Sequence, residues 1–246
     1  MSETLVVVAP DPDVLASAVS ARLVTRIIDA QALRGVAHIV LTGGRIAAKV
    51  LRSVKQMPAT GAIDWAKVDL WWGDERFLPA GHPDRNETQA RAELLDSLPL
   101  EPARVHAMPP SDGPDGDDAA AAAARYAREL AGAAYPGRPL PHFDVLMLGV
   151  GEDGHVASIF PGHPGYDEAG VTAAVYNSPK PPPTRITLTL PTIQSAEEVW
   201  LIAAGPDKTD SVGAALGGAK LPAAAAVGTE KTIWLLDTEA AAKVDR

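Results

Sequence analysis

Apolar residues along this chain fall in short blocks, each closed by a glycine-rich or charged turn. "TLVVVAPD" predicts a buried strand over Leu5–Ala9, and Asp11 and Asp13 follow in helix-start positions. "VLASAVSARLVTRIIDAQ" then repeats apolar residues at helical spacing through Val14, Ala18, Leu23, Ile27 and Ile28. "VAHIVLTGG" reads as a second strand ending in a glycine turn, with a helix from about Arg45 to Lys55. "VDLWWGDERF" is a third strand running into a charged turn. "NETQARAELLDSL" predicts a helix capped by Asn86. "HFDVLMLGVG" is another buried strand, and "TRITLTLP" alternates Ile186, Leu188 and Leu190 with threonines, which predicts a half-exposed strand. "EVWLIAAG" and "KTIWLLD" are two late strands with a helix, "DKTDSVGAAL", between them.

Strands alternating with helices predict an α/β fold, Rossmann-like, with a largely parallel sheet flanked by helices. One domain covering residues 1–246 is expected. Ligand chemistry in such sheets gathers at the carboxyl ends of the strands. Four turns rich in glycine and charge fall there: Thr42–Arg45, Gly73–Arg76, Gly149–His155 and Gly205–Lys208. The acidic segment "SDGPDGDDAAAAAARYAREL" reads as a loop leading to a helix with Asp117 and Asp118 in its first turn, and carries no functional assignment.

Composition narrows the function. The chain has 246 residues, 46% hydrophobic, ample for a core. No apolar run is long enough to span a bilayer. The N-terminus lacks a basic region and cleavage pattern, so a cytoplasmic protein without membrane contact is expected. Cysteine is absent, which removes disulfides, thiolate nucleophiles and cysteine-bound metals. A net charge of -9 argues against nucleic acid, though a few convergent cations can still bind a small anion.

The turn "GVGEDGH" raises the sharpest question. Gly149, Gly151 and Gly154 spell G-x-G-x-x-G, the dinucleotide fingerprint. Glu152 and Asp153 would repel a pyrophosphate there, and the motif lies far past the opening βαβ unit. A tight strand-to-helix turn explains the glycines but leaves Asp153 and His155 unexplained. A carboxylate two residues from a histidine can fix the ring's tautomer and stabilise imidazolium, as in catalytic triads.

The other turns carry cations and backbone donors. "LTGG" offers the Thr42 hydroxyl and the N–H groups of Gly43 and Gly44 to a phosphate, with Arg45 at the mouth. Asp74, Glu75 and Arg76 follow a buried strand beside two tryptophans, which favours a sheltered turn over an exposed ion pair. Three prolines stiffen the segment between Lys180 and Arg185. Lys208 stands near a helix start, where a cation is unfavourable unless an anion offsets it. No Walker A loop, H-E-x-x-H or G-x-S-x-G occurs, so no metal, nucleotide cofactor or acyl-serine chemistry is expected.

Together, "LTGG", "WWGDERF", "LGVGEDGHVASIFPG", "SPKPPPTRITLTLP" and "GPDK" resemble the glucosamine-6-phosphate isomerase/6-phosphogluconolactonase family, in the family's order, over about residues 5–236. The resemblance lies on the lactonase side. The isomerases carry a tyrosine in the second of these motifs and an Asn-Glu-Pro after the third, where this chain has Phe160-Pro161-Gly162. Arg45 departs from the small hydroxyl residue usual after the double glycine. The resemblance implies hydrolysis of 6-phospho-D-glucono-1,5-lactone without cofactor or metal by a monomer. It is consistent with His155, Asp153, Asp74 and Arg76 at the reacting end and Thr42, Gly43, Gly44, Arg45, Arg185 and Lys208 at the phosphate. Two other readings remain open: an isomerase or deaminase with Asp74 as base, and a phosphosugar-sensing module without turnover.

Overall fold

The computed structural model describes residues 2–163 and 169–244. Its strands are β1 (Glu3–Ala9), β2 (Ala37–Leu41), β3 (Val68–Trp72), β4 (Asp74–Arg76), β5 (Val145–Gly149), β6 (Thr172–Val175), β7 (Arg185–Leu188), β8 (Glu198–Ala203) and β9 (Lys231–Asp237). Its α-helices are α1 (Pro12–Arg34), α2 (Arg45–Gln56), α3 (Asn86–Glu93), α4 (Ala119–Gly132), α5 (Leu190–Ile193), α6 (Thr209–Leu216) and α7 (Pro222–Ala225).

Six strands form a parallel sheet in the order β1-β9-β8-β5-β2-β3. Every residue of β2, β3 and β8 is buried. Their near-continuous apolar runs therefore reflect a sheet covered on both faces, as the α/β expectation requires. The edge strand differs. β1 pairs only with β9, and Val6 is exposed, so the "LVVV" run does not make the fully buried strand that its composition suggests. An apolar run carries no sign of whether its strand lies at an edge.

The chain runs outward from β2 to β3 on one side and from β5 through β8 to β9 on the other. The gap between the carboxyl ends of β2 and β5 is thus a topological switch point, where ligands bind in open α/β sheets. The Thr42 turn and the Gly149 turn flank it. They are joined there: the Gly149 N–H donates to Thr42 Oγ1 at 3.3 Å.

"VDLWWGDERF" is not one strand. It leaves the large sheet at Gly73 and enters a second sheet, ordered β4-β7-β6 and antiparallel. Gly73 ties the two together, donating to the Leu41 carbonyl and accepting from the Leu188 N–H. The threonine-bearing strand β7 is wholly buried rather than half-exposed. Thr187 Oγ1 donates to the adjacent Leu188 carbonyl, and Thr189, just past the strand, donates to the distant Gly170 carbonyl.

Caps follow short-range chemistry. Asp11 caps α1 by accepting from the N–H groups of Asp13 and Val14. Asp118 caps α4 through Ala120 and Ala121, which places it just ahead of the first turn. Asn86 is the first residue of α3 rather than its cap, and its side chain is used elsewhere.

Candidate active site

Nine residues singled out from the sequence line one cavity of about 510 Å³ at the carboxyl ends of the parallel strands: Thr42, Gly43, Gly44, Arg45, Asp74, Arg76, His155, Arg185 and Lys208. Asp153 stands behind His155, outside the lining. Segments more than 160 residues apart in sequence converge because each follows a strand of one of the two sheets.

One end of the cavity is built on the start of α2. Gly44 precedes this helix with φ +99°, a backbone shape that L side chains rarely adopt. The first N–H groups of a helix have no carbonyl before them, and they point out of its start. Thr42 Oγ1 accepts from Gly149, which leaves its hydroxyl hydrogen to donate. Arg45 contributes differently from a side-chain clamp: its side chain is 91% exposed and lies 3.5 Å from Asp207. Lys208 Nζ is 3.2 Å from the same carboxylate and mostly buried. Lys208 closes the turn Pro206–Lys208 immediately ahead of α6.

Arg185 is held by the proline segment. Its Nε donates to the Pro182 carbonyl, and Nη2 donates to the carbonyls of Lys180 and Pro181. Three accepted donors and a position over the Phe160 ring leave Nη1 directed toward Asp74, 3.8 Å from Oδ2. Arg76 does not lock Asp74. It donates from Nη1 to the Asp84 carbonyl at 2.7 Å, and Arg185 is the guanidinium beside Asp74. Arg76 Nε is buried and makes no hydrogen bond among the described residues.

Asp74 and Glu75 are both buried, so the exposed ion-paired turn is excluded. Asp74 Oδ2 accepts from Ser158 Oγ at 2.7 Å. Glu75 turns the other way. It accepts from the backbone N–H groups of Arg76, Asn86 and Glu87 and lies 3.8 Å from buried Arg85. Burial pushes its carboxyl up to about 7 against those favourable partners.

The "GVGEDGH" turn does not open a helix. It folds on itself through bridges between Val150 and Val156 and between Val156 and Ile159. The helix N-terminus that a dinucleotide pyrophosphate needs is therefore missing from this turn. Gly151 donates to the His155 carbonyl, and a Cβ at Gly151 would lie 2.0 Å from His155 Nδ1. Asp153 Oδ1 is 2.5 Å from that Nδ1. Desolvation holds the His155 imidazolium below the usual histidine range, and Asp153 opposes the shift. A ring that is neutral at pH 7, with Nδ1–H on a carboxylate, presents the Nε2 lone pair as its base.

Lys180, noted with Arg185 as a cation on the stiff proline segment, also lines the cavity, whereas sequence reading missed Asn86 and Lys49. Asn86 looked like a cap, and no local spacing links it to Gly43. At the opposite, amino end of the sheet, His142, Asp144 and Glu197 lie close enough to hold a cation. Arg34 already pairs with Asp144, and Arg26 with Glu197, so those carboxylates are neutralised by guanidinium groups.

A glycine-led helix start and a carboxylate-backed histidine meet at one switch point, on the turns that carry the motifs. The family model for glucosamine-6-phosphate isomerases/6-phosphogluconolactonase matches residues 10–234, and the chain belongs to that family. Within it, the chain is 56% identical to a 6-phosphogluconolactonase of Streptomyces coelicolor, covering 100% of this chain and 97% of the relative. It is 49% identical to a 6-phosphogluconolactonase of Mycobacterium tuberculosis, covering 96% of each. Among solved structures, 6-phosphogluconolactonase from Trypanosoma brucei superposes with a TM-score of 0.85 at 27% identity, over 100% of both chains.

Proposed function

We propose that this protein hydrolyses 6-phospho-D-glucono-1,5-lactone to 6-phosphogluconate, in the oxidative pentose phosphate pathway, with His155 activating the water. The observation that carries the mechanism is His155, its Nδ1 on the Asp153 carboxylate, in the cavity that also holds the α2 start, Arg185 and Lys208. The lactonase names of full-length relatives support the substrate.

The phosphate is held by Thr42, the Gly43–Gly44 turn, Arg185 and Lys208, with the Arg45 N–H in the first turn of α2. The lactone carbonyl lies toward His155. Water adds to the carbonyl carbon as Nε2 takes its proton, and Asp153 stabilises the imidazolium. The tetrahedral oxyanion collapses by breaking the bond from carbon to ring oxygen. Nε2 returns its proton to that oxygen, and the carboxylic acid then ionises in water. Arg76, a cation in the cavity lining, serves the sugar or oxyanion. Asp74 is a hydrogen-bond acceptor for sugar hydroxyls, its own geometry fixed by Ser158. No step needs a cofactor or metal, and a cytoplasmic monomer suffices. No helix among the described residues is long and apolar enough to cross a membrane.

The test is lactone hydrolysis, corrected for spontaneous opening, run beside hexosamine-phosphate deamination. Enzyme-dependent lactone opening without deamination is expected. Deamination that outruns lactone opening would overturn the reading in favour of an isomerase-type enzyme with Asp74 as base. Phosphosugar binding with neither activity would make the protein a sensor.

A further inference from the structure

We propose that Asn86 is a positioning residue that clamps the phosphate turn to the Asp74 turn, and that position 43 is glycine in order to admit it. The inference rests on the phosphate site proposed above.

Asn86 is 3% exposed at the start of α3. Its Nδ2 donates to the Asp74 carbonyl at 2.9 Å, with the Asp74 carboxylate at 3.4 Å. Its backbone N–H donates to Glu75 Oε1 at 2.7 Å, and the next N–H, of Glu87, donates to Oε2 at 2.9 Å. The start of α3 is therefore fastened to β4 by side chain and backbone together.

The other side of the carboxamide enters the phosphate turn. A Cβ built on Gly43 would lie 1.9 Å from Asn86 Oδ1 and 2.5 Å from Cγ. No non-bonded atoms approach so closely, so the carboxamide occupies the volume that a side chain at position 43 would take. Gly43 and Gly44 thus meet separate needs. Gly44 has a positive φ with nothing near its missing Cβ, whereas Gly43 is required for space.

Asn86 Oδ1 is buried and makes no hydrogen bond among the described residues. Buried acceptors are seldom left this way. Its placement follows from geometry: Nδ2 is committed to Asp74, which directs Oδ1 onto the Gly43 backbone. Thr42–Gly44 ends a strand of the large sheet and Asp74 belongs to the small one. Asn86 is thereby a brace between the two sheets at the floor of the cavity.

Titration calorimetry with inorganic phosphate reads the turn without requiring turnover. Gly43→Ala should weaken phosphate binding at least about tenfold, the scale of one hydrogen bond to a charged group. Asn86→Ala should weaken it as well. In the double variant the methyl enters the space the carboxamide vacated, so binding should match Asn86→Ala alone. Melting temperatures are read beside each titration: weaker phosphate binding in Asn86→Ala at an unchanged melting temperature assigns the asparagine to positioning, whereas binding that falls only in step with stability assigns it to packing and overturns the clamp. Asn86→Ser replaces Asn86→Ala if the latter does not fold. Losses that multiply in the double variant, or unchanged binding in the Asn86 variant, overturn the clamp. Absent lactone hydrolysis in a wild-type protein that binds phosphate would sink the proposed activity while leaving this cycle readable. A wild-type protein that binds no phosphate sinks the clamp together with the phosphate site.

Discussion

Asp153 Oδ1 meets His155 Nδ1 at 2.5 Å, and the pair is seated on Gly151, where any side chain would collide with both residues. His155 is thus positioned by a carboxylate on one side and by a missing Cβ on the other. His155→Ala should lower kcat by about 10²–10⁴-fold, the usual worth of general acid–base help. KM should change little, because the phosphate contacts lie on other turns. Near-normal kcat in folded His155→Ala, after subtraction of spontaneous hydrolysis, would remove His155 as the base.

The same pair sets the pH profile. His155 acts in its neutral form, and its pKa lies below the ordinary value because burial disfavours the imidazolium. The acidic limb of the rate should therefore lie below the ordinary histidine pKa. Asp153 raises this pKa. Asp153→Asn should lower kcat less than His155→Ala and move the acidic limb further down. A limb that moves up in Asp153→Asn would contradict the arrangement.

Lys208 Nζ is held 3.2 Å from Asp207 ahead of α6, in the cavity that Thr42–Gly44 also lines. Lys208→Ala should raise KM for the lactone by roughly 10- to 100-fold, from about 1.5–3 kcal/mol for a hydrogen bond to a charged group. An unchanged KM would exclude Lys208 from phosphate binding.

Arg76→Lys keeps a charge but loses the planar donor set. Nη1 on the Asp84 carbonyl is a scaffold contact, while the residue also lines the cavity. A large loss in kcat at unchanged melting temperature is the expected result. Activity that declines only in step with stability would assign Arg76 to the scaffold.

Stability should also depend on pH through a cluster far from the cavity. His38 is buried near Trp71 and Asp69, and desolvation pushes its pKa down to about 4. The unfolded chain takes a proton near pH 6.5 while the folded chain does not, so stability falls as pH drops below 6.5. Between pH 6.5 and 5 the loss should reach up to about 2 kcal/mol. His106, stacked on Trp71 and bonded to Asp69 and Glu129, has the opposite shift. Its contribution is full below pH 6.5 and is lost as pH rises through its raised pKa. Urea midpoints at pH 6.5 and 5 check this: His38→Gln should flatten the acid side, and an undiminished slope would refute the assignment.

Much of this architecture was legible because periodicity and punctuation agree. Buried runs such as "HIVL" and "WLIAA" end at glycine turns, and the chemistry sits on those turns. What escaped was set by pairing between distant segments. The passage from β3 into a second sheet at Gly73 depends on hydrogen bonds to Leu41 and Leu188. The burial of Thr187 depends on Ser158 and its own carbonyl neighbours. Asn86 obeyed the composition rule for a cap, yet Glu75 supplied the helix start with its acceptors and freed the asparagine for Asp74. Arg76 and Arg185 were indistinguishable as cations until the fold placed Arg185 beside Asp74.

The passage of the chain between sheets at Gly73 has a thermodynamic corollary. Thr42 and Lys208 follow strands of the parallel sheet, whereas Arg185 belongs to the antiparallel one. An anion gripped by all three would be a removable cross-link between two layers that otherwise meet through packing, the Asn86 side chain and a few backbone bonds. Substrate and product would then be linked to the folding equilibrium itself. At 100 times its dissociation constant, such a ligand raises stability by about 2.7 kcal/mol. The pool of phosphosugar around the protein would set its resistance to heat and proteolysis, so that starvation of the substrate also exposes the enzyme to turnover.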